Sequence, residues 1–382
     1  MKVEISLRYI TKYRSLFGLL IAVVVAFAGL YSYAHIGKTI QADDFALGDE
    51  NFHTAESWAG ERFTGSSIEE ISSTVERYAD SPVASQYPKK YIAWLGNSQL
   101  HTINQYKQGD HLAPYWFRKL EPCHDCIVPL GFSLPNANLQ EQFVLSEYIS
   151  NRIVIRALVL ELVFDDLRED GLRSEFSPVL SVNLRNKISH YPVGSSILAL
   201  YDTESGKHSS VQDNHGLNGS VQLSVEESLT NELGEVWPLW KDRQALRSDF
   251  LIDLYYLRNW ALNIKPTTVR KMIRPRYVRN MQALEAILSE CRNNGIPVIM
   301  YVAPIRQDYP LPYDSSQYNL WKQSLKKLAS DYSATFVNFE KLVPANMWGT
   351  YHENDVDFMH FQGAGHKLLA EALLPIVQNI VK

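Results

Sequence analysis

Five short apolar runs, separated by stretches of helical period, constrain the fold more than any other feature of this chain. The runs are rich in Val, Ile and Leu, are too short for helices, and span residues 91–95, 126–130, 157–164, 297–303 and 335–339. Such runs are typical of strands buried on both faces of a parallel sheet. Helical spacing of apolar residues lies between or after them, at 139–151, 269–293, 318–331 and 363–381. The alternation predicts a doubly wound, three-layer α/β sandwich around a mainly parallel, five-stranded sheet.

Residues 16–34 form an apolar stretch of nineteen residues without a charged side chain. As a helix it would rise about 28 Å, close to the roughly 30 Å of a bilayer's hydrocarbon core. Four basic side chains precede it, at Lys2, Arg8, Lys12 and Arg14. The positive-inside rule then predicts a single-pass anchor in the inner (cytoplasmic) membrane, with a cytoplasmic N-terminus and an extracytoplasmic body. A cleaved signal peptide is the alternative, because Ser32-Tyr33-Ala34 resembles a cleavage site; either way the body is exported.

The charge balance argues against one class of partner. The chain has 37 Lys and Arg against 42 Asp and Glu, a net charge of −5, and four of the basic side chains lie in its first fourteen residues. The body is therefore acidic and lacks the basic surface that nucleic-acid binding requires. We predict no nucleic-acid partner.

The domain organisation follows from these patterns. Residues 1–38 are predicted to hold the cytoplasmic tail and the anchor, 39–89 a linker with a helical lead-in, and 90–382 the catalytic domain. Within that domain, residues 167–265 break the strand–helix rhythm with polar stretches and an aromatic patch, so we predict an insertion. A long insertion beside the end of a strand is suited to a lid or a partner surface. A surface elaboration without catalytic consequence is the alternative.

The cysteines fit an exported protein. Cys123-His124-Asp125-Cys126 is a C-x-x-C motif, and Cys291 stands alone. Zinc would need two further ligands and no second C-x-x-C exists, so no metal site is predicted. Outside the cytoplasm, a structural disulfide between Cys123 and Cys126 is favoured over a thiol-redox role. Cys291 is predicted to be a buried apolar residue.

A candidate nucleophile follows the first predicted strand, in the sequence Leu95-Gly96-Asn97-Ser98. In an open parallel sheet the active crevice lies at the carboxyl ends of the strands. A serine at the first strand-to-helix turn has its hydroxyl at that crevice and its N–H at a helix N-terminus, which favours an oxyanion. A simple helix N-cap is the alternative role of Ser98.

The matching base and carboxylate lie near the other end of the chain, as Asp357 and His360. Serine is a poor nucleophile unless a base removes its proton and a carboxylate orients that base. A D-x-x-H step in a tight loop places both side chains together, although a solvated loop with a capping His is the alternative. Because the motif follows the last strand and opens the last helix, it returns to the same sheet edge as Ser98. We predict a catalytic triad of Ser98, Asp357 and His360.

G-N-S after the first strand and D-x-x-H before the final helix together resemble the SGNH (GDSL-like) hydrolase superfamily, over about residues 90–165 and 265–382. The anchor and the strand end Tyr301–Arg306 resemble DltD-type proteins of teichoic-acid D-alanylation and SGNH-like O-acetyltransferases of bacterial exopolysaccharides. The resemblance implies transfer of an acyl group to or from an envelope glycan or polymer through Ser98, beside a membrane-bound O-acyltransferase and without metal or organic cofactor. A catalytically idle, SGNH-like partner of such an acyltransferase is the alternative.

The resemblance also implies oxyanion donors, and here the sequence departs from the pattern. The family's usual G-D-S is G-N-S, and an aspartate stands at the position after strand three where asparagine is expected, in Asp165-Asp166. A carboxylate cannot donate a hydrogen bond unless it is protonated. Gly131 or Ser133 is the expected backbone donor after strand two, and Asn136 a substitute for the missing amide. Asp165 and Asp166 are alternatively expected to cap a helix or to bind an arginine.

Three further side chains are candidates near the site. Arg306 follows the fourth strand and is expected either to bind an anionic substrate or carrier, or to form an ordinary salt bridge. His101 is a candidate for the pocket wall. His366 is predicted to be a packing residue on the last helix, since a triad needs one histidine.

Overall fold

The computed structural model describes residues 56–79, 90–101, 107, 109–123, 126–212, 268–350 and 356–381. The predicted anchor at 16–34 and residues 213–265 of the predicted insertion lie outside these ranges. None of the helices in the described ranges combines the length and apolar character that crossing a bilayer requires.

A six-stranded parallel sheet forms the centre of the molecule, in the order β3-β5-β4-β6-β7-β8. Its strands are β3 Thr64–Gly65, β4 Lys90–Gly96, β5 Ile127–Ser133, β6 Ile155–Leu162, β7 Val298–Val302 and β8 Thr335–Asn338. The five predicted strands are present, but the count of five is wrong. Strand β3 pairs with Gly131–Phe132 and comes from the segment predicted as a linker and lead-in. Its two residues lie in a polar stretch, so no apolar run marks them.

Helices cover both faces of the sheet, which confirms the three-layer α/β architecture. In chain order they are α1 Ile68–Ala79, α2 Ala113–Leu120, α3 Leu139–Ser150, α4 Val182–Ser189, α5 Pro192–Gln212, α6 Arg274–Asn293, α7 Ser315–Asp331 and α8 Gly363–Ile380. Successive residues of β4 point to opposite faces. Ala93 and Leu95 join the core beneath α1, α3, α6 and α7, whereas Ile92 and Trp94 join the core beneath α2 and α8.

Two short antiparallel pairs flank the sheet. Strands β1 Ser57–Trp58 and β2 Glu61–Arg62 form one pair, and β9 Trp348–Thr350 and β10 Val356–Phe361 form the other. Strand β10 contains the D-x-x-H motif, so the loop predicted there is a strand. The register of the β9–β10 pair shifts between Val356 and Phe361. That irregularity matters because residues three apart in a regular strand point to opposite faces.

The described part of the predicted insertion belongs to the main core. Helices α4 and α5 contribute Leu184, Ile188, Val193 and Ile197, which are buried in the same core as α3. This part of the insertion therefore packs into the core of the domain and is not a surface loop. The lid role predicted for the insertion stays a prediction.

Candidate active site

Ser98 lies where β4 ends, at the start of a one-turn 3-10 helix, Ser98–Leu100. Asn97 caps this turn, because its side-chain oxygen accepts the Gln99 N–H at 2.8 Å. A Cβ on Gly96 would lie 2.6 Å from Leu100 Cδ1 and would also collide with the Glu161 carboxylate. Glycine is therefore required for the close packing of the turn against β6. Ser98 is only 4% exposed.

Ser98, His360 and Asp357 form a continuous hydrogen-bonded relay. The Ser98 Oγ lies 3.0 Å from His360 Nε2, and His360 Nδ1 lies 2.9 Å from Asp357 Oδ2. All three side chains are buried. With Nδ1–H donating to the carboxylate, the Nε2 lone pair faces the serine hydroxyl, which is the arrangement of a general base.

The Asp357 carboxylate is stabilised in its charged form. Its Oδ1 accepts the backbone N–H groups of Met359 at 2.8 Å and His360 at 3.1 Å. Burial alone raises the pKa of Asp357, but the His360 imidazole and these N–H groups outweigh it and hold the pKa below its usual value. The two N–H bonds also fold β10 into the irregular turn that brings residues 357 and 360 to one side.

The predicted oxyanion residues take different places. The Gly131 N–H donates to the Phe63 carbonyl at 3.0 Å, and a Cβ there would lie 2.8 Å from Pro114 Cγ. Gly131 therefore serves strand pairing and packing, and its N–H is not free for an oxyanion. Ser133 ends β5 and its Oγ lies 2.8 Å from His101 Nε2. Asn136 is exposed and has the left-handed φ of 55° in the turn before α3.

Asn97 and Asp166, the two residues that depart from the G-D-S and asparagine pattern, are in direct contact. The Asn97 amide Nδ2 donates to Asp166, at 2.8 Å from Oδ1 and 2.9 Å from Oδ2. An amide thus faces a carboxyl group, with the two side-chain types exchanged between the positions. Asp165 has the expected structural role, since it forms ion pairs with Arg168 at 3.2 Å and with Arg270.

Sequence reasoning missed Glu161, which lies inside β6 and is buried. Its Oε2 accepts the Asn97 N–H at 3.0 Å, and its Oε1 accepts the Tyr301 hydroxyl at 3.3 Å. Trp94 Nε1 in turn donates to the Tyr301 hydroxyl oxygen at 3.1 Å. Burial raises the pKa of Glu161 to about 8. The available signal was an acidic residue inside an otherwise apolar run, 157–164.

Arg306 binds the strand pair that carries Asp357. Its Nη1 donates to the Gly349 carbonyl at 2.8 Å and to the Asp357 carbonyl at 3.4 Å, while Nε and Nη2 bind Asp308. The side chain is 10% exposed, and the guanidinium lies 5.1 Å from the centre of the Tyr309 ring. These contacts match the salt-bridge expectation and hold the loop after β7 against β9 and β10.

Two further buried histidines, His101 and His366, lie near the relay. His101 Nε2 lies 3.1 Å from the Ser133 carbonyl oxygen, and His366 Nε2 lies 3.2 Å from the His101 carbonyl oxygen. Burial lowers the pKa of each imidazole to about 3, so both are neutral at physiological pH. His366 packs against the Phe361 ring at 4.5 Å, as expected of a packing residue.

The cysteines are remote from the triad. Cys123 and Cys126 form a disulfide between α2 and β5, with their Cα atoms 5.4 Å apart. Cys291 is buried in α6, and burial raises the pKa of its thiol to about 12. A thiol with that pKa is not a nucleophile at neutral pH.

A small cavity, lined mainly by residues of apolar type, lies at the carboxyl ends of β6 and β7. The space within it that a water-sized group can enter is about 10 Å³. Gln99, which follows Ser98, and Met359, which precedes His360, both line it, and Tyr318 and Trp321 of α7 supply aromatic walls. Within the described part of the chain, three buried polar atoms around it have no hydrogen-bond partner: Gln99 Oε1, Tyr318 Oη and Trp321 Nε1.

Fold and site together define a buried Ser–His–Asp arrangement at the carboxyl edge of a parallel α/β sheet. No protein-family model matches the chain, and no curated protein matches its sequence. An M. smegmatis aryl esterase structure is 9% identical, with 76% of this chain and 99% of that one covered and a TM-score of 0.37. A GDSL-like lipase from Bacteroides thetaiotaomicron is 10% identical, with 80% and 96% covered and a TM-score of 0.34.

A third structure, an acetylxylan esterase from Geobacillus stearothermophilus, is 9% identical, with 75% of this chain and 93% of that one covered and a TM-score of 0.33. At these identities and TM-scores, function has to be argued from the residues of the site itself.

Proposed function

We propose that this chain is an extracytoplasmic, membrane-anchored serine acyltransferase or esterase. It moves an acetyl or similar short acyl group to or from an envelope glycan or polymer through an acyl ester of Ser98. The observation that carries the proposal is the relay from Ser98 through His360 to Asp357, buried at the strand edge where parallel sheets build their active sites.

The reaction follows from this geometry. His360 Nε2 accepts the Ser98 hydroxyl proton as Oγ attacks the acyl carbonyl, and Asp357 stabilises the resulting imidazolium. The imidazolium then protonates the leaving oxygen, and the acyl group remains on Ser98. In the second half, His360 deprotonates the acceptor hydroxyl, which attacks the ester, and the imidazolium returns this proton to the Ser98 Oγ as the acyl–oxygen bond breaks. The backbone N–H of Ser98, at the start of its 3-10 turn, is the oxyanion donor that we assign.

Transfer is favoured over hydrolysis because of the anchor predicted at residues 16–34. An anchored domain has a high effective concentration toward a membrane-bound donor, for which a membrane-bound O-acyltransferase is the proposed partner. With a glycan or polymer hydroxyl as acceptor the product is an acylated envelope component. With water as acceptor the same site is an esterase.

We place a short, uncharged acyl group in the cavity beside Gln99 and Met359, which side-chain movement must widen, since it has room for about a water-sized group. Among the described residues that line it there is no Lys, Arg, Asp or Glu, and a charged acyl chain would lose its hydration without a counter-ion from them. Trp321→Ala should therefore widen the cavity and move the chain-length optimum of aryl esters toward longer acyl groups. Leu320→Ala, an exposed position one residue before Trp321, is the control. An unchanged chain-length optimum in Trp321→Ala would show that the acyl group does not bind in this cavity.

The proposed chemistry is tested by trapping the intermediate. The full-length protein in detergent is treated with a fluorophosphonate or an activated acyl ester, and the modified peptide is identified by mass spectrometry. We expect the label on Ser98, its loss in Ser98→Ala and in His360→Ala, and normal labelling in Ser189→Ala, whose serine is exposed on α4. A folded protein that shows no label on Ser98 would contradict the proposal.

A second candidate is an idle partner of a membrane-bound O-acyltransferase. Asp166, in the position where an amide donor is expected, favours it. The two candidates differ in cells: loss of envelope acylation in a Ser98→Ala strain indicates an enzyme, and full acylation indicates the idle partner.

A further inference from the structure

Asn97 uses both its backbone groups and both its side-chain groups to fix the turn that carries Ser98, and its carbonyl accepts the Leu100 N–H at 3.2 Å. Its backbone N–H donates to Glu161 at 3.0 Å, and its side-chain oxygen accepts the Gln99 N–H at 2.8 Å. Its side-chain nitrogen donates to both oxygens of Asp166. Two carboxyl groups therefore hold the residue next to the nucleophile, and neither touches the triad in the contacts described above.

These two carboxyl groups are buried without a cation. Asp166 is 5% exposed and Glu161 is 1% exposed. Their hydrogen-bond partners among the described residues are Asn97 and Tyr301, both uncharged. Two neighbouring carboxylates in such a site would carry a large desolvation cost and would repel each other.

The surrounding charges do not relieve that cost. Asp165 and Glu141 add further negative charge near Asp166. The nearby guanidinium groups are bound elsewhere: Arg168 and Arg270 to Asp165, and Arg173 to Glu141. Burial accordingly raises the pKa of Asp166 well above its usual value. A protonated carboxyl group has one donor and one acceptor side, as an amide has.

We propose that Asp166 is a positioning residue for the nucleophile, acting through Asn97, and that this pair of positions requires at least one amide and cannot hold two acids. The proposal rests on the proposed function in taking Ser98 as the nucleophile. The pair explains how a chain with asparagine beside its serine keeps the turn in place: the partner position has changed with it. Asn97→Asp alone should then damage the turn, whereas Asp166→Asn alone should not.

A charge-swap cycle tests this arrangement with Asn97→Asp, Asp166→Asn and the double variant. Asp166→Asn keeps a side-chain oxygen that accepts from Asn97 Nδ2, so its kcat should stay within about threefold of wild type. Asn97→Asp places a third acid against Asp166 and Glu161, and kcat should fall at least about tenfold at neutral pH with little change in KM. The double variant restores one amide and one acid, and should recover most of that loss.

Two further variants keep the test decisive. Asp166→Ala leaves the buried Asn97 amide without its acceptor, and should lose kcat as Asn97→Asp does. Asp202→Asn, at an exposed ion pair with Arg185, should match wild type. If Asn97→Asp does not fold, recovery of folding in the double variant supports the pair. A double variant no better than Asn97→Asp, or an Asp166→Asn as poor as Asp166→Ala, would overturn the proposal.

The same cycle run on chemical unfolding separates this inference from the proposed function. Two results together support the positioning role. Positions 97 and 166 should be coupled in the free energy of unfolding, and the Ser98 labelling rate should fall only in Asn97→Asp and Asp166→Ala. Coupling in unfolding with equal labelling of Ser98 in all variants overturns it, since the contact would then be structural. Failure of the proposed function appears differently, as wild-type protein that does not label at Ser98.

Discussion

His366 offers a test of how burial sets the pH dependence of stability. Burial lowers the pKa of His366 from 6.5 in the unfolded chain to about 3 in the folded protein. The stability contributed by the neutral ring is fully present above pH 6.5 and is lost as the pH falls toward 3, because only the unfolded state binds the proton. At about pH 5 the unfolded imidazole is mostly charged, which costs the folded state about 2 kcal/mol relative to about pH 8.

His366→Gln removes this proton uptake. The variant will lose some packing against Phe361 at every pH, so the quantity to compare is the loss of unfolding free energy between the two pH values. We expect that loss to be about 2 kcal/mol smaller in His366→Gln than in wild type. His190→Gln, at an exposed position of the protein, should behave as wild type.

Urea unfolding of the full-length protein in detergent, followed by tryptophan fluorescence at the two pH values, measures this difference. Carboxylates also gain protons over the same range, but they do so in all three proteins and cancel in the comparison. If wild type and His366→Gln lost the same free energy on acidification, the argument from burial of the neutral imidazole would be refuted.

Three more predictions follow from the contacts of the site. Burial raises the pKa of Glu161 to about 8. The stability contributed by its neutral form is therefore fully present below the pKa of the unfolded chain and is lost as the pH rises toward 8. Over that pH range Glu161→Gln should lose less unfolding free energy than wild type does. Arg306→Ala frees the carbonyls of β9 and β10, and should lower kcat by about 10- to 100-fold with little change in KM, measured in steady-state ester turnover. Replacing Cys123 and Cys126 by serine should lower stability by about 2 kcal/mol in urea unfolding; a loss of turnover without a loss of stability would instead indicate a redox role.

The fold was largely predictable because its strands are buried on both faces. Runs such as 297–303 have no polar side to disguise them, so composition and length suffice to mark them as strands. Strand β3 was missed for the opposite reason: two residues at the sheet edge pair through backbone groups and need no apolar run. The D-x-x-H segment was expected as a loop, and its strand form depends on pairing with Trp348–Thr350.

The residues of the candidate relay were predictable because their types and their places along the chain suffice to suggest the chemistry. Ser98 ends the first long strand, and His360 precedes the last helix, so topology alone directs both toward one edge. The oxyanion assignment was harder. Whether the N–H of Gly131 is free depends on its partner, and that partner is the carbonyl of Phe63 in a neighbouring segment.

The sequence by itself determined the α/β alternation, the acidic body, the apolar N-terminal stretch and the residue types of a serine relay, since each depends on local pattern or composition. Only the tertiary structure decided what supports Ser98. Glu161 and Asp166 reach Asn97 across 64 and 69 residues of sequence. Hydrogen bonds between such distant residues depend on strand order and burial, and no periodicity or spacing in the chain encodes them.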